Sequence, residues 1–227
     1  MDEFFRVVLA LSYGYLLGSI SVSYLVARVV KGIDLRIVGT GTLGASNVWH
    51  QVGKGWVYPV VLFDFFAKGV SPVALSGIGL GLGPEVQAGA ALLAIIRHNW
   101  SIFLRFQGGR GVTPLLGVLF AFPIICLHDI PIGLVLFSII ALGGWGITRN
   151  APVWILVSTT LLPIWALLFN ESLPLLWLNI GILTILVLKR LTSNFGPKAG
   201  SQFSRLFWNR LLYDRDTSDR ASWIKRG

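Results

Sequence analysis

Residues 39–47 read GTGTLGASN, a run of small and polar residues set between two long apolar segments. Glycine lets the backbone take up positive φ angles and approach a ligand closely, and successive free N–H groups in such a loop form a concavity that suits an anion. A second loop of this kind, GGRG at residues 108–111, lies between two other apolar segments. The pattern predicts two glycine loops that meet at one face of a membrane and hold phosphate there.

The composition indicates a membrane protein. The chain has 227 residues, of which 54% are hydrophobic and 13% charged, and its mean hydropathy is +0.72, whereas soluble domains carry about 25% charged residues. Nineteen Lys and Arg face ten Asp and Glu. A basic balance with many apolar runs is typical of a membrane protein with cationic cytoplasmic loops, and argues against a nucleic-acid partner. The single cysteine, Cys126, excludes an internal disulfide and a cysteine metal cluster.

Apolar segments of about 20 residues predict membrane-spanning helices. We expect an all-α polytopic membrane protein with about seven spans, near residues 4–29, 56–80, 84–106, 112–127, 131–148, 151–169 and 173–188. The third span is expected to break at Arg97-His98-Asn99-Trp100 and to resume over 101–106. Interrupted helices at membrane depth are tolerated only where they are buried in protein or line a wet cavity.

The loop charges predict an orientation in the cell membrane. Lys and Arg occur in alternate loops. The other loops hold the acidic residues Glu85, Asp129 and Glu171 and no Lys or Arg. The positive-inside rule then places the amino terminus outside, and both glycine loops and the carboxyl terminus in the cytoplasm.

Residues 1–194 are expected to form the transmembrane region, and 195–227 a basic, partly amphipathic tail. Apolar and basic residues recur at helical spacing within this tail, as Phe203, Leu206, Phe207, Arg210 and Leu211. This spacing fits either an interfacial helix on anionic lipid or a short helix in a solvated tail.

Three motifs have competing interpretations. The spacing Gly39-x-Gly41-x-x-Gly44 matches the dinucleotide-binding fingerprint, which requires a strand before it and a helix after it. Here the flanking segments are membrane helices, so only a general anion loop remains. Asp64 and Lys68 lie four residues apart on one helical face and predict a buried ion pair, with Lys68 also able to reach a phosphate. His98 fits a base, an acid, a hydrogen-bond donor or a packing residue.

Four blocks of sequence together resemble the PlsY family of bacterial membrane acyltransferases. They are Gly18-Ser19-Ile20 with Tyr24-Leu25, the segment from Asp34 to Val48, Asp64-x-x-x-Lys68-Gly69, and His98 followed by the segment from Phe103 to Val112. The blocks keep the order and spacing of the family over about residues 14 to 194. The resemblance implies transfer of a fatty acyl group from acyl phosphate to glycerol 3-phosphate, which gives lysophosphatidate in phospholipid biosynthesis. Because acyl phosphate is already activated, no metal or other cofactor is expected.

The resemblance and the motifs together select candidate site residues. The expected catalytic residues are Thr40, His98 and Asn194. The expected substrate-binding residues are Gly39, Gly41, Thr42, Gly44, Ser46, Asn47, His50, Lys68, Gly108, Gly109, Arg110 and Gly111. The expected partners are acyl phosphate, glycerol 3-phosphate and membrane lipid.

Departures from the family pattern keep two alternatives open. The chain has Arg110 where the family has lysine, His50 where it has arginine, and Leu191 where it has a histidine implicated in activity. An inactive or repurposed paralogue that binds lipid or partner proteins is therefore one alternative. A small transporter is another, since the predicted break in the third span is typical of transporter helices.

Overall fold

The computed structural model describes residues 2–194, 202–217, 219 and 223, which form helices joined by loops. In chain order the helices are α1 (Glu3–Ser19), α2 (Val22–Lys31), α3 (Ala45–Gln51), α4 (Lys54–Gly79), α5 (Pro84–Asn99), α6 (Val112–Leu127), α7 (Ile132–Thr148), α8 (Ala151–Leu168), α9 (Leu173–Leu191) and α10 (Phe203–Tyr213). Within these described ranges there is no strand, only one isolated bridge between Ser101 and Gln107. The all-α prediction is confirmed. The predicted start of the tail, 195–201, lies outside the described residues.

Four helical segments of the described chain are long and apolar enough to cross a membrane. They are Glu3–Lys31, which joins α1 and α2, and the helices α4, α8 and α9. Helices α6 and α7 are apolar but shorter. These six segments begin and end within a few residues of the predicted spans, because runs of apolar residues and the polar residues between them set both limits. The total of seven membrane crossings stays a prediction.

The third predicted span differs from its expectation. Helix α5 continues through Arg97, His98 and Asn99 without a break, and 101–106 forms a turn in place of a resumed helix. The polar side chains do not interrupt α5, because they are buried against protein. The Arg97 guanidinium lies over the Tyr15 ring at 4.4 Å and donates to Ser19. The helix ends at Asn99, and a short 3₁₀ helix, Ile102–Leu104, follows Trp100, so the predicted break lies after the polar residues and was wrong only in its start at Arg97.

Glycines bring two pairs of helices into backbone contact. A Cβ atom added at Gly14 or Gly18 of α1 would collide with the carbonyl oxygens of Ala90 and Ala94 of α5. A Cβ added at Gly69 of α4 would likewise collide with the backbone of α6. Small residues at helix contacts in membranes allow this close approach. The packing fixes α5, which carries His98, against α1.

Two apolar clusters support the loops that join these helices. The larger one lies mainly among α5, α6 and α9 and includes the buried Leu115, Phe122 and Leu178. The smaller cluster includes Leu35, which precedes the first glycine loop, and Leu43, which lies within it, and both are buried. Burial of these two leucines anchors the loop before its first glycine and at its centre.

The tail helix α10 packs on the ends of α8 and α9. Arg190 of α9 donates to the carbonyl oxygens of Leu211 at 2.7 Å and Pro152 at 2.6 Å, while Arg210 of α10 donates to the Leu191 carbonyl at 2.8 Å. The predicted amphipathic segment is therefore helical. It contacts the transmembrane region through paired arginines, a docking that neither sequence interpretation included.

Candidate active site

The first glycine loop is organised around Asn47. This side chain is fully buried, and its Nδ2 donates to the carbonyl oxygens of Leu35, Val38 and Thr42 at 3.1–3.2 Å. Its Oδ1 accepts from the Thr40 N–H at 3.2 Å. All of these bonds go to the backbone of the same loop. Asn47, predicted as a substrate-binding residue, thus fixes the shape of the loop through hydrogen bonds to its backbone.

The glycines of the first loop differ in what they allow. Gly39 and Gly41 have φ angles of +58° and +66°, in the left-handed region that favours glycine. A Cβ at Gly39 would also collide with the Asn47 side chain. Gly44 is extended, with φ −141°, and a Cβ there would meet no atom within 4 Å. Only the first two glycines are therefore required by the loop geometry.

The second loop approaches the end of α5 more closely than a side chain would permit. A Cβ at Gly108 would overlap the carbonyl oxygens of His98 and Asn99, and a Cβ at Gly109 would overlap the His98 imidazole. The Gly109 N–H donates to the His98 carbonyl at 3.0 Å. Gly111 has φ +72° and leads into α6. The adjacent glycines thus place the loop backbone directly against His98.

Asn194 joins the two loops. Its Nδ2 donates to the carbonyl oxygens of Gly41 at 2.8 Å and Gly108 at 2.9 Å, and its Oδ1 accepts from Lys189 Nζ at 2.8 Å. The Leu43 N–H also donates directly to Gly108, at 3.1 Å. The predicted meeting of the glycine loops is confirmed, although they come from segments far apart in the chain.

The predicted cradle of free backbone N–H groups is absent at four of these loop positions. The N–H groups of Thr40, Gly41, Leu43 and Gly109 all donate to acceptors within the protein. The prediction was wrong there because the loops use these donors to fix their own shape. An anion in the cavity can therefore be contacted by hydroxyl and cationic side chains and by N–H groups at other loop positions, but not by these four.

Asp64, Lys68 and His98 form a buried polar cluster beneath the second loop. Lys68 Nζ lies 2.8 Å from Asp64 Oδ1 and 3.1 Å from His98 Nδ1. The exposed fraction of the surface is 1% for Lys68, 3% for Asp64 and 6% for His98. The predicted Asp64–Lys68 ion pair is confirmed. His98 Nδ1 also lies 3.5 Å from Asp64 Oδ1, so this nitrogen faces both members of the ion pair. The cluster orients the His98 ring.

A cavity of about 360 Å³ lies beside the joined loops. Hydroxyl, imidazole and carboxylate groups line one part of it, from Thr40, Thr42, Ser46, Asp64, His98, Thr113 and Asp214. Four arginines line it among the described residues, namely Arg110, Arg149, Arg190 and Arg215. An apolar part is lined by Val112, Trp145, Ile155 and Leu186. The excess of guanidinium over carboxylate groups suits an anionic ligand that also carries an apolar chain.

The predicted site residues divide into three groups in the structure. Seven line the cavity, namely Thr40, Thr42, Gly44, Ser46, His98, Arg110 and Gly111. Six form its supporting wall, namely Gly39, Gly41, Asn47, Gly108, Gly109 and Asn194. Lys68 is buried behind Asp64 and His98, and His50 is exposed outside the cavity lining. Asp64, expected only as the partner of Lys68, reaches the cavity where Lys68 does not.

Several cationic residues of the site were missed from the sequence. Arg149 and Arg190 line the cavity, and Lys189 donates to Asn194. From the sequence, all three were expected only as loop charges that set the orientation in the membrane. Their position beside the motif residue Asn194 could have identified Lys189 and Arg190. No sequence feature identified Asp214, which lies in the tail, more than one hundred residues from Arg110.

Arg110 is held from two sides. Its Nη1 donates to the Lys189 carbonyl at 2.9 Å, and its Nε lies 2.9 Å from Asp214 Oδ2. Asp214 follows α10 with a φ of +55° and projects into the same cavity. Arg110, which was predicted to bind phosphate, is therefore paired with the Asp214 carboxylate in this structure.

A separate ion pair fixes the start of the first loop. Asp34 accepts from the Arg36 N–H and Nε, both at 3.0 Å. The hydrogen bond from the Arg36 side chain holds the pKa of the Asp34 carboxyl below its usual value.

Among the described residues, no group of three or more His, Cys, Asp or Glu side chains is placed to hold a metal ion.

Comparison with known protein families gives one match over most of the chain. Residues 8–197 match the model of the family described as glycerol-3-phosphate acyltransferase. The chain is also 35% identical to glycerol-3-phosphate acyltransferase 5 of Dehalococcoides mccartyi, over 94% of this chain and 90% of the relative. Helix α10 and Asp214 lie beyond the range that the family model matches.

Solved structures give the same result for the fold. The structure resembles a crystal structure of PlsY (YgiH), an integral membrane glycerol 3-phosphate acyltransferase in its glycerol 3-phosphate form, with a TM-score of 0.73 and 26% identity over 90% of this chain and 94% of that one. It also resembles the lysophosphatidic acid form of PlsY, with a TM-score of 0.69 and 25% identity over 81% and 87% of the two chains. The chain is accordingly a multi-pass membrane protein.

Proposed function

Because the chain belongs to the glycerol-3-phosphate acyltransferase family, we propose that it transfers a fatty acyl group from acyl phosphate to glycerol 3-phosphate and so supplies lysophosphatidate for phospholipid synthesis. The observation that carries this proposal is the cavity beside the two joined glycine loops. Its four arginines, its hydroxyl groups and the His98 imidazole surround about 360 Å³ and adjoin an apolar wall. Two phosphate-bearing substrates, one with an acyl chain, match this distribution of charge.

The reaction needs positioning more than activation. A hydroxyl oxygen of glycerol 3-phosphate forms a bond to the acyl carbonyl carbon, and the bond from that carbon to the phosphate oxygen breaks. Inorganic phosphate leaves and takes up the hydroxyl proton. Holding the two reactants in this geometry can supply roughly 7–11 kcal/mol of the barrier reduction. The chain provides this geometry through loops that Asn194 ties together.

Each polar group of the cavity has a distinct role in the proposal. Arg110 binds a substrate phosphate through its planar guanidinium, which suits a phosphate better than the point charge of lysine does. The hydroxyls of Thr40 and Thr42 lie 2.8 Å apart and act as a pair of donors for the same or the adjacent phosphate. His98 acts through Nε2 as a hydrogen-bond donor to negative charge that develops in the transition state, since Lys68 occupies its Nδ1.

The apolar part of the cavity is proposed to hold the start of the acyl chain. Val112, Trp145, Ile155 and Leu186 lie on the side formed by α6 to α9. The donor phosphate then lies at the arginines, and the acyl carbon lies between the two parts of the cavity. Membrane lipid surrounds the exposed apolar residues of the helices.

Neither alternative from the sequence gains an observation in its favour. The transporter hypothesis rested on a broken third helix, and α5 is continuous. The inactive-paralogue hypothesis rested partly on Leu191, whose carbonyl here accepts from Arg210 of the tail. The residues proposed to contact substrate are present at the cavity in spite of the substitutions.

A direct assay tests the proposed function. Purified protein in lipid nanodiscs, given acyl phosphate and glycerol 3-phosphate, should form lysophosphatidate and inorganic phosphate in equal amounts. Acyl-coenzyme A in place of acyl phosphate controls for the donor, and glycerol in place of glycerol 3-phosphate controls for the acceptor phosphate. Absence of lysophosphatidate with acyl phosphate, from protein that is folded by its melting profile, would refute the proposal.

The proposed orientation places the cavity at the cytoplasmic face, with the amino terminus outside. It is supported by the loop charges, because Arg110, Arg149 and Arg190 all lie at the cavity end of the helices. The test uses a Cys126→Ser background with a cysteine at Gly55 or Glu171. An impermeant maleimide added to intact cells should label the second position and not the first. Labelling of both positions would refute the topology.

A further inference from the structure

The tail contributes to the cavity although it lies outside the matched family range. The family model ends at residue 197, whereas Tyr213 and Asp214 line the cavity together with residues of α5 to α9. The wall of the site is therefore completed by a segment beyond the range of the family model, although the relative from Dehalococcoides mccartyi aligns with 94% of this chain.

The tail is held at a defined position next to the site. Arg190 donates to the Leu211 carbonyl, and Arg210 donates to the Leu191 carbonyl, so α9 and α10 are joined in both directions. Arg210 Nε also donates to Asp216 Oδ1 at 2.6 Å. These bonds fix both sides of the turn that contains Asp214, and the turn presents its carboxylate to the cavity.

The contact between Asp214 and Arg110 is an ion pair with poor hydrogen-bond alignment. The Nε and Oδ2 atoms lie 2.9 Å apart, but Arg110 Nε and Asp214 Oδ1 are both buried without a hydrogen-bond partner among the described residues. The carboxylate here neutralises the arginine without satisfying its Nε donor. A phosphate has more acceptor oxygens and a larger negative charge, so it can satisfy the same guanidinium more fully.

We propose that the Asp214 carboxylate pairs with Arg110 at the position where a substrate phosphate binds. The carboxylate must then move away before that phosphate binds, so Asp214 lowers the affinity for substrate. The tail thus competes with substrate within the same molecule. This inference rests on the proposed function, since it identifies Arg110 as a phosphate-binding residue. The ligand class is a phosphate monoester or an acyl phosphate, and both substrates of the proposed reaction carry that group.

The test compares full-length variants in nanodiscs. Asp214→Asn and Asp214→Ser remove the competing charge, and Asp219→Asn is the matched control, since it removes an exposed carboxylate of the same tail that does not line the cavity. Glycerol 3-phosphate is varied at saturating acyl phosphate, and acyl phosphate at saturating glycerol 3-phosphate. Both Asp214 variants should lower KM for one of the two substrates by about fivefold, as expected for loss of one partly buried ion pair. The substrate affected identifies the phosphate that Arg110 binds.

Equilibrium binding of radiolabelled glycerol 3-phosphate and of a non-hydrolysable acyl phosphonate separates this inference from the proposed function. Tighter binding of either ligand by both Asp214 variants, with no turnover by any protein, would support the competition and refute the acyltransferase activity. Turnover by wild type with KM and binding unchanged in both Asp214 variants would overturn the competition alone. A raised KM or a lost kcat in these variants would also overturn it, because the tail would then be completing the site.

Discussion

The two glycine loops have similar sequences but need their glycines for different reasons. In the first loop, Gly39 and Gly41 adopt positive φ angles, and the loop is shaped by Asn47 beneath it. In the second loop, Gly108 and Gly109 leave room for the carbonyl and imidazole groups of His98. Gly39 and Gly41 are therefore required by backbone conformation, and Gly108 and Gly109 by contact with a site residue, while Gly111 of the second loop also has a positive φ.

This difference determines what each loop contributes to the site. The first loop carries neutral hydroxyls, Thr40 and Thr42, and is shaped by the buried Asn47. The second loop carries the charged Arg110 and packs directly on the imidazole. Changes in the second loop should therefore have larger effects on catalysis, and changes in the first should affect folding and catalysis moderately.

The largest expected effect is that of Gly109→Ala. The new methyl group would overlap His98 Nε2, so either the loop or the ring must move. A displacement of about 1 Å at a site can reduce the rate by roughly a hundredfold. Lysophosphatidate formation by detergent-purified variants measures this.

The matched control for that variant is Gly55→Ala at the start of α4, outside the cavity lining. Its Cβ would meet no atom within 4 Å, and its φ is not positive. Its activity should stay within about twofold of wild type, as for other unstrained substitutions. Equal losses in both variants would show that the contact of Gly109 with His98 is not what limits the second loop.

The next prediction compares the loss of the Arg110 charge with the loss of the Thr40 hydroxyl. Arg110→Ala removes a charge-assisted contact worth roughly 1.5–3 kcal/mol, so kcat/KM should fall by about 10- to 100-fold. Thr40→Val removes a neutral hydrogen bond worth roughly 0.5–1.5 kcal/mol and should reduce kcat/KM by about 2- to 10-fold. Steady-state kinetics with both substrates measures the two variants.

Arg110→Lys should also lose activity, because lysine lacks the planar fork that contacts a phosphate through two parallel hydrogen bonds. The control is Arg105→Ala, which removes an exposed arginine of the same segment that does not line the cavity. If Arg110→Ala retains full activity, Arg110 does not bind a substrate phosphate.

A smaller effect is expected when the loops are untied. Asn194→Ala leaves the carbonyls of Gly41 and Gly108 without their shared donor, at a cost of roughly 1–3 kcal/mol. The melting temperature should fall, and kcat should fall by about tenfold or less because the Leu43–Gly108 bond still joins the loops. Asn194→Asp keeps an acceptor for Lys189 but loses the donor, so it should resemble Asn194→Ala. Wild-type stability in both variants would contradict the role of Asn194.

The smallest effect concerns Asp34, at the start of the first loop. Its pKa is lowered in the folded protein by the Arg36 hydrogen bond, so its contribution to stability is present above the usual pKa of an aspartate. That contribution is lost as the pH falls through the folded pKa. Asp34→Asn should therefore reduce stability at neutral pH by about 0.2–1 kcal/mol, the range for partly exposed ion pairs. Thermal unfolding should show this difference shrinking in acid, and a difference that grows in acid would contradict it.

The helices were largely predictable because the sequence alternates clearly between apolar runs and polar loops. The exception was α5, where Arg97 and His98 suggested a break. Hydropathy treats a polar side chain as unfavourable in the membrane, but it does not account for partners on other helices. Ser19 accepts from Arg97 and Lys68 contacts His98 within the protein, so the helix continues to Asn99.

The site was predictable only to the level of its motifs. The loop charges placed both glycine loops on one face of the membrane, and the resemblance supplied Arg110 and Asn194. Which backbone N–H groups remain free depends on φ and ψ angles that residue type alone does not fix, so the N–H cradle was overestimated. The contact of Asp214 with Arg110 joins residues more than one hundred positions apart, and no periodicity or spacing encodes it.

The backbone contacts at Gly14 and Gly18 divide the cavity into two walls of unequal rigidity. Helices α1 and α5 touch through main-chain atoms, and α4 and α6 do so at Gly69, so no side-chain rearrangement can let either pair slide. His98 and Asp64 belong to these helices, whereas Arg149, Arg190 and the tail belong to the other wall. We therefore expect α5 and α4, which carry His98 and Asp64, to move least when substrate enters or leaves the cavity.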